Sequence, residues 1–112
     1  MAKVIITNGL KNDLLKKFKR ESKKIYRLFY SLGENPKKGK AIGRVSNIVI
    51  KELKYENFRF YFIADGFKIK FLEIRDLQNL VIKFIAMSNK KDQQKTIDEI
   101  KAVLRKLGSD GF

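Results

Sequence analysis

The sequence predicts an α+β protein: a small antiparallel sheet of about four to five strands, with an N-terminal helix or helical hairpin and a C-terminal helix. Three observations carry this. Apolar residues recur at three- and four-residue steps across residues 10–32, they alternate with polar ones between residues 47 and 87, and a second helical period begins at Thr96. A chain of 112 residues with no low-complexity break makes one domain, 1–112, with a single core.

Taken in order, Lys3 to Thr7 reads as a short strand ended by Asn8-Gly9. Leu10, Leu14, Phe18, Ile25, Phe29 and Leu32 then mark one side of a helix, or of two helices bent near Arg20 to Ser22. Gly33 and Pro36 stop it, and residues 33–46, GENPKKGKAIGRVS, read as a basic loop. Asn47–Lys54, Phe58–Ala64, Phe67–Ile74 and Leu80–Met87 are four strand candidates, with Asp65-Gly66 as a hairpin turn. Short links make them a meander with helices on one face. Thr96 and Glu99 form a capping box for a last helix, with Ile97, Ile100, Leu104 and Leu107 inward and Gly108 at its end.

The charge is the outlying quantity. Twenty-six Lys and Arg against twelve Asp and Glu give a net charge of +14, which points to a polyanionic partner, nucleic acid first and an acidic protein second. Without Cys or His, disulfides and thiolate chemistry are excluded, and no usual ligand set for a transition metal remains. No cofactor is implied. The apolar run in MAKVIITNGL is too short for a signal-peptide core, and no stretch approaches the ~20 apolar residues of a membrane span. A cytoplasmic protein without a membrane partner is the expectation.

The stretch ELKYENFRFYFIADGFKIKF, residues 52–71, shows where the charge goes. Strand side chains alternate between faces, so Phe58, Phe60, Phe62, Phe67, Ile69 and Phe71 take the core side. Glu52, Lys54, Arg59, Tyr61, Lys68 and Lys70 then share the other. One reading is a solvated sheet face. Collecting like charges is unfavourable without an anion, however, and Lys37, Lys38, Lys40 and Arg44 extend the field. The face is therefore a candidate nucleic-acid surface.

Three segments, SLGENPKKGKAIG, KELK followed by FRFYF, and FIAMSNKKDQQKTIDEIKAVLRK, occur in the order and spacing of a known family. The chain resembles the RelE/ParE superfamily of toxins from type II toxin–antitoxin pairs, with the tail similar to its HigB-like branch. The resemblance implies a sheet with an N-terminal helical pair, and an acidic or amphipathic antitoxin as partner. It also implies an mRNA interferase, an endoribonuclease that stops translation, usually at the ribosome, through attack of a ribose 2′-OH on the neighbouring phosphate. Carried over by position, Arg59 would stabilise the phosphate, Lys54 matches the basic residue of E-L-R, and Glu52 matches its glutamate, a candidate base. Lys68, Lys70, Lys90, Lys91, Lys37, Lys38 and Arg44 are candidate RNA contacts. The chain departs from the family at Ala86-Met87, which replace a Lys-Lys pair, and at its end, where no Tyr or His supplies an acid; Lys90 or Lys91 is the candidate substitute. The other implied reading is non-enzymatic: a ParE-type gyrase inhibitor, or a nucleic-acid binder without activity.

Overall fold

The computed structural model describes residues 1–71 and 73–112, with Ile74 described by its backbone alone. Five strands form one sheet: β1 (Lys3–Ile6), β2 (Lys40–Val45), β3 (Ile48–Tyr55), β4 (Phe58–Asp65) and β5 (Val81–Asn89), in the spatial order β1-β5-β4-β3-β2. β1 runs parallel to β5, and the other neighbours are antiparallel. The α+β class expected from the periodicity is the class that forms.

The N-terminal segment is two helices, α1 (Asn8–Phe18) and α2 (Ser22–Ser31), joined by a 3-10 turn over Lys19–Glu21. Thr7 starts α1 in an extended conformation, its Oγ1 accepting the Leu10 N–H at 3.4 Å. Lys19 ends it with φ of 50°, and the Ser22 hydroxyl donates to the Lys19 carbonyl at 2.6 Å. Leu10, Leu14, Phe18, Ile25 and Phe29 pack on Leu53, Phe60, Phe62, Ile82 and Phe84. Phe29 stacks on Phe84, with ring centres 3.9 Å apart and planes at 7°, and meets Phe60 edge-on at 5.0 Å. Each of these rings contributes roughly 2 kcal/mol or more by burial.

The C-terminal helix, α4 (Gln93–Leu107), covers the opposite face. Its Ile97, Ile100 and Leu104 pack on Ile50, Tyr61, Ile63 and Ile85. A bulge in β5 helps: Tyr61 pairs with Ala86 and Phe62 with Phe84, so Ile85 is extra and both Ile85 and Ala86 serve this second cluster. The molecule is three layers, helices on both faces of the sheet and not on one.

Other expectations also change. Residues 33–46 are not all loop, because their second half forms the edge strand β2, paired along β3 with a bulge between Ala41 and Gly43. Before it the chain turns at Gly39, whose φ is 95° and whose Cβ would lie 3.1 Å from the Phe62 ring. The strand expected at Phe67–Ile74 is a short helix, α3 (Gly66–Phe71), then a 3-10 turn over Ile74–Asn79; Leu72 lies outside the described residues. Asp65-Gly66 is not a hairpin turn. Asp65 caps α3, its Oδ1 accepting the N–H groups of Phe67 and Lys68, each at 3.0 Å. Thr96 lies inside α4, its N–H donating to the Asp92 carbonyl at 3.1 Å, and Leu107 is 58% exposed. Among the described residues, no helix is long and apolar enough to cross a membrane.

Candidate nucleic-acid interface

A two-residue turn, Glu56-Asn57, joins β3 to β4, with Glu56 at φ of 54°. The turn fixes the register in which Lys54 faces Arg59 and Glu52 faces Tyr61. On β5, Ser88 is the partner of Arg59. These five side chains therefore share the α4 side of the sheet at its hairpin end.

Most of this group is covered, which the sequence reading did not anticipate. Glu52 is 3% exposed, Arg59 7%, Tyr61 0% and Ser88 8%. The face expected to lie open to nucleic acid is covered by α4, whose first residue, Gln93, donates from Nε2 to Glu52 Oε2 at 2.6 Å. Tyr61 and Ser88 share a hydroxyl–hydroxyl hydrogen bond of 2.8 Å. Burial pushes the Tyr61 hydroxyl above its ordinary range; the Ser88 bond opposes that, the Glu52 charge adds to it, and the Arg59 charge opposes it.

Arg59 is the unusual member. Its Nη1 donates to the Phe58 carbonyl at 3.0 Å and the Glu56 carbonyl at 3.4 Å, so the guanidinium points to the hairpin turn. Its Nε is buried without a hydrogen-bond partner, and among the described residues no ion pair involves Arg59. A buried, uncompensated charge is costly. The residue directly opposite, Lys54, is another cation and is exposed.

Lys90 and Lys91 complete this end. The Lys90 N–H donates to the Asn57 carbonyl at 2.8 Å, which fixes the exit of β5 against the hairpin turn. Both lysines are exposed. Lys54, Arg59, Lys90 and Lys91 thus gather at one end of the sheet, with Glu52 the nearby buried carboxylate.

The remaining candidates are elsewhere. Lys68 and Lys70 are on α3, past the other end of β4 and ~20 Å from Arg59 at strand rise; they are not on the sheet face because residues 67–71 are helical. Arg44 pairs with Val49 at that same far end, its Nε donating to the Ser46 carbonyl at 3.0 Å. Lys37 and Lys38 lie in the loop on the α1–α2 side, where the Lys37 carbonyl accepts from Lys51 Nζ at 3.0 Å. Lys51 itself is 7% exposed, lies 5.7 Å from the Phe62 ring centre, and has its pKa pulled down by burial.

Ser88 and Gln93 were not singled out by sequence, and no local pattern marks them. Ser88 reaches Tyr61 through the β5 bulge, and Gln93 reaches Glu52 through the docking of α4. Among the described residues no group of His, Cys, Asp or Glu has the arrangement to hold a metal ion. What the site offers chemically is a fork-shaped cation for a phosphate, flanking ammonium groups and one carboxylate. Compared with known proteins, the chain matches no family model, no curated protein and no solved structure.

Proposed function

We propose that this protein is an mRNA-cleaving endoribonuclease of the RelE/ParE toxin type, acting in the cytoplasm and held in check by an acidic antitoxin. The observation that carries the reading is Arg59: a guanidinium 7% exposed, its Nε unpartnered, with no carboxylate paired to it among the described residues and Lys54 facing it. A scissile phosphate supplies the negative charge that this arrangement lacks. Arg59 and Lys54 stabilise charge growing on the phosphoryl oxygens. Gln93 holds Oε2 of Glu52, leaving Oε1 to take the 2′-OH proton. The 2′-oxygen bonds to phosphorus, the bond to the 5′-oxygen breaks, and Lys90 or Lys91 protonates the leaving oxygen. The products are a 2′,3′-cyclic phosphate and a 5′-hydroxyl end.

The burial of Glu52 favours a second reading, a non-enzymatic toxin-like binder such as a gyrase inhibitor, in which the Glu52–Gln93 bond only anchors α4. Inducible expression in a bacterial host with primer extension on abundant mRNAs separates the two. Growth arrest with new mRNA 5′ ends, lost in Arg59→Ala, is the expected result. Arrest with intact mRNA overturns the nuclease and favours the binder. Undiminished cleavage by Arg59→Ala overturns the site.

A further inference from the structure

Phe67 and Phe71 stand one helical turn apart on α3 and are 64% and 61% exposed. Their ring centres lie 4.8 Å apart with planes at 50°, and the Lys70 ammonium is 5.4 Å from the centre of the Phe71 ring. Ile69 packs against the core beneath α1 and α2 and Lys68 Nζ reaches the Asn79 carbonyl at 3.4 Å, while the two rings remain in water. Exposed aromatics set close together call for a partner.

The surroundings say what kind. Beside α3 a cavity of about 360 Å³ opens between the ends of β3, β4 and β5 and the C-terminal turn, lined by Ile48, Ile63 and Val81, by Lys68 and Lys83, and by the acidic residues Asp65 and Asp110. Lys68 and Lys70 belong to no ion pair among the described residues. The nearest acid in sequence, Asp65, is committed through Oδ1 to capping α3.

We propose that α3 and the cavity beside it form a second contact site for single-stranded nucleic acid, in which Phe67 and Phe71 stack on bases and Lys68 and Lys70 take the flanking phosphates. Stacking on an aromatic face is tolerant of sequence, and lysines track a backbone without reading it. The net charge of +14 supplies the attraction at longer range. The site rests on the nucleic-acid reading above and not on catalysis at Arg59. It gives one strand two points of attachment, ~20 Å apart along β4.

The test is fluorescence anisotropy with a labelled single-stranded DNA of about 12 nucleotides, which has no 2′-OH to react. Phe67→Leu/Phe71→Leu keeps the apolar area and removes the π faces, so it should weaken binding about fivefold or more with an unchanged salt slope. Lys68→Gln/Lys70→Gln should flatten that slope by roughly 1.4. Wild-type affinity in the Leu pair overturns the proposal. If the Leu pair also retains, and Phe67→Ala/Phe71→Ala loses, binding to phosphatidylserine vesicles, the patch is a membrane contact instead. RNA cleavage is assayed in parallel. Cleavage lost in Arg59→Ala, with oligonucleotide binding unchanged in the Leu pair, retires this site and keeps the nuclease. Weakened binding in the Leu pair, by a protein whose wild type cuts no RNA, keeps this site and retires the nuclease. No binding by the wild type overturns this site whatever the cleavage assay shows.

Discussion

Gln93 donates to Glu52 at 2.6 Å, tying the first residue of α4 to the middle of β3. Among the described residues Asp92 makes no side-chain cap for α4, and this bond joins the packing of Ile97 in holding its start against the sheet. Removing a neutral donor from a buried carboxylate costs about 1–3 kcal/mol. Gln93→Ala should lose that much in urea unfolding. Gln93→Glu, which sets a second carboxylate against the first, should lose more at neutral pH. Wild-type stability in both variants would show that the bond holds nothing.

Arg59 should make the fold sensitive to anions. Inorganic phosphate, balanced with chloride to constant ionic strength, should raise the Tm of the wild type, with a gain of about 2.7 kcal/mol at a phosphate concentration 100 times its Kd. Arg59→Ala should not respond. Arg59→Lys should respond less than wild type, because an ammonium lacks the planar fork. Equal shifts in all three proteins would move the anion site elsewhere.

Tyr55 ties the sheet to the N-terminal helices: from β3 its hydroxyl donates to Glu21 in the turn between α1 and α2. That bond first, then burial and the charges of Glu21 and Glu56, push its pKa up to about 12. The neutral phenol is favoured in the folded state, so its contribution is intact below the ordinary value of about 10. It is lost as pH rises through the folded value. Tyr61, raised mainly by burial, acts in the same direction. Alkaline unfolding followed by circular dichroism should be shallower in Tyr55→Phe than in wild type above pH ~10. An identical pH dependence in the two proteins would contradict the coupling.

The phenylalanines should divide sharply. Phe29 is fully buried between Phe60 and Phe84, and Phe29→Ala should cost about 3–5 kcal/mol. Phe67→Ala and Phe71→Ala should each stay within about 0.5 kcal/mol of wild type, as exposed positions do. A large loss at Phe67 or Phe71 would return residues 67–71 to a buried strand.

The helices α1, α2 and α4 and the strands β3, β4 and β5 were legible because each carries enough residues to show its period. The failures have identifiable causes. GFKIKF satisfies a period of two, but Phe67 and Phe71 also satisfy i and i+4, and Asp-Gly serves a hairpin turn or a helix cap equally well. Asp65 chose the cap because its carboxylate reaches two N–H groups of the next turn. β2 was hidden by Gly39 before it and by Lys40, Gly43 and Arg44 within it, which suit an exposed edge strand as well as a loop. The covering of the second face was legible in principle: Tyr61 and Ile63 opposite the phenylalanines, and Ile48 and Ile50 beside Val49, are near-continuous apolar runs of the kind buried on both sides. In the candidate site, the Glu52, Lys54 and Arg59 grouping followed from strand alternation and the resemblance, and the pairing of β3 with β4 brings the three together. Ser88 and Gln93 did not, because a one-residue bulge and a helix docking angle decide their contacts.

The pairing of β1 with β5 sets Lys3 beside Val81. During synthesis the β3–β4 hairpin can close as soon as it emerges, but β1 must wait for β5. The surroundings of Arg59 wait longer still, since Ser88 and Gln93 follow. The cluster around Arg59 is therefore assembled from three separate parts of the chain, and none of them holds it alone.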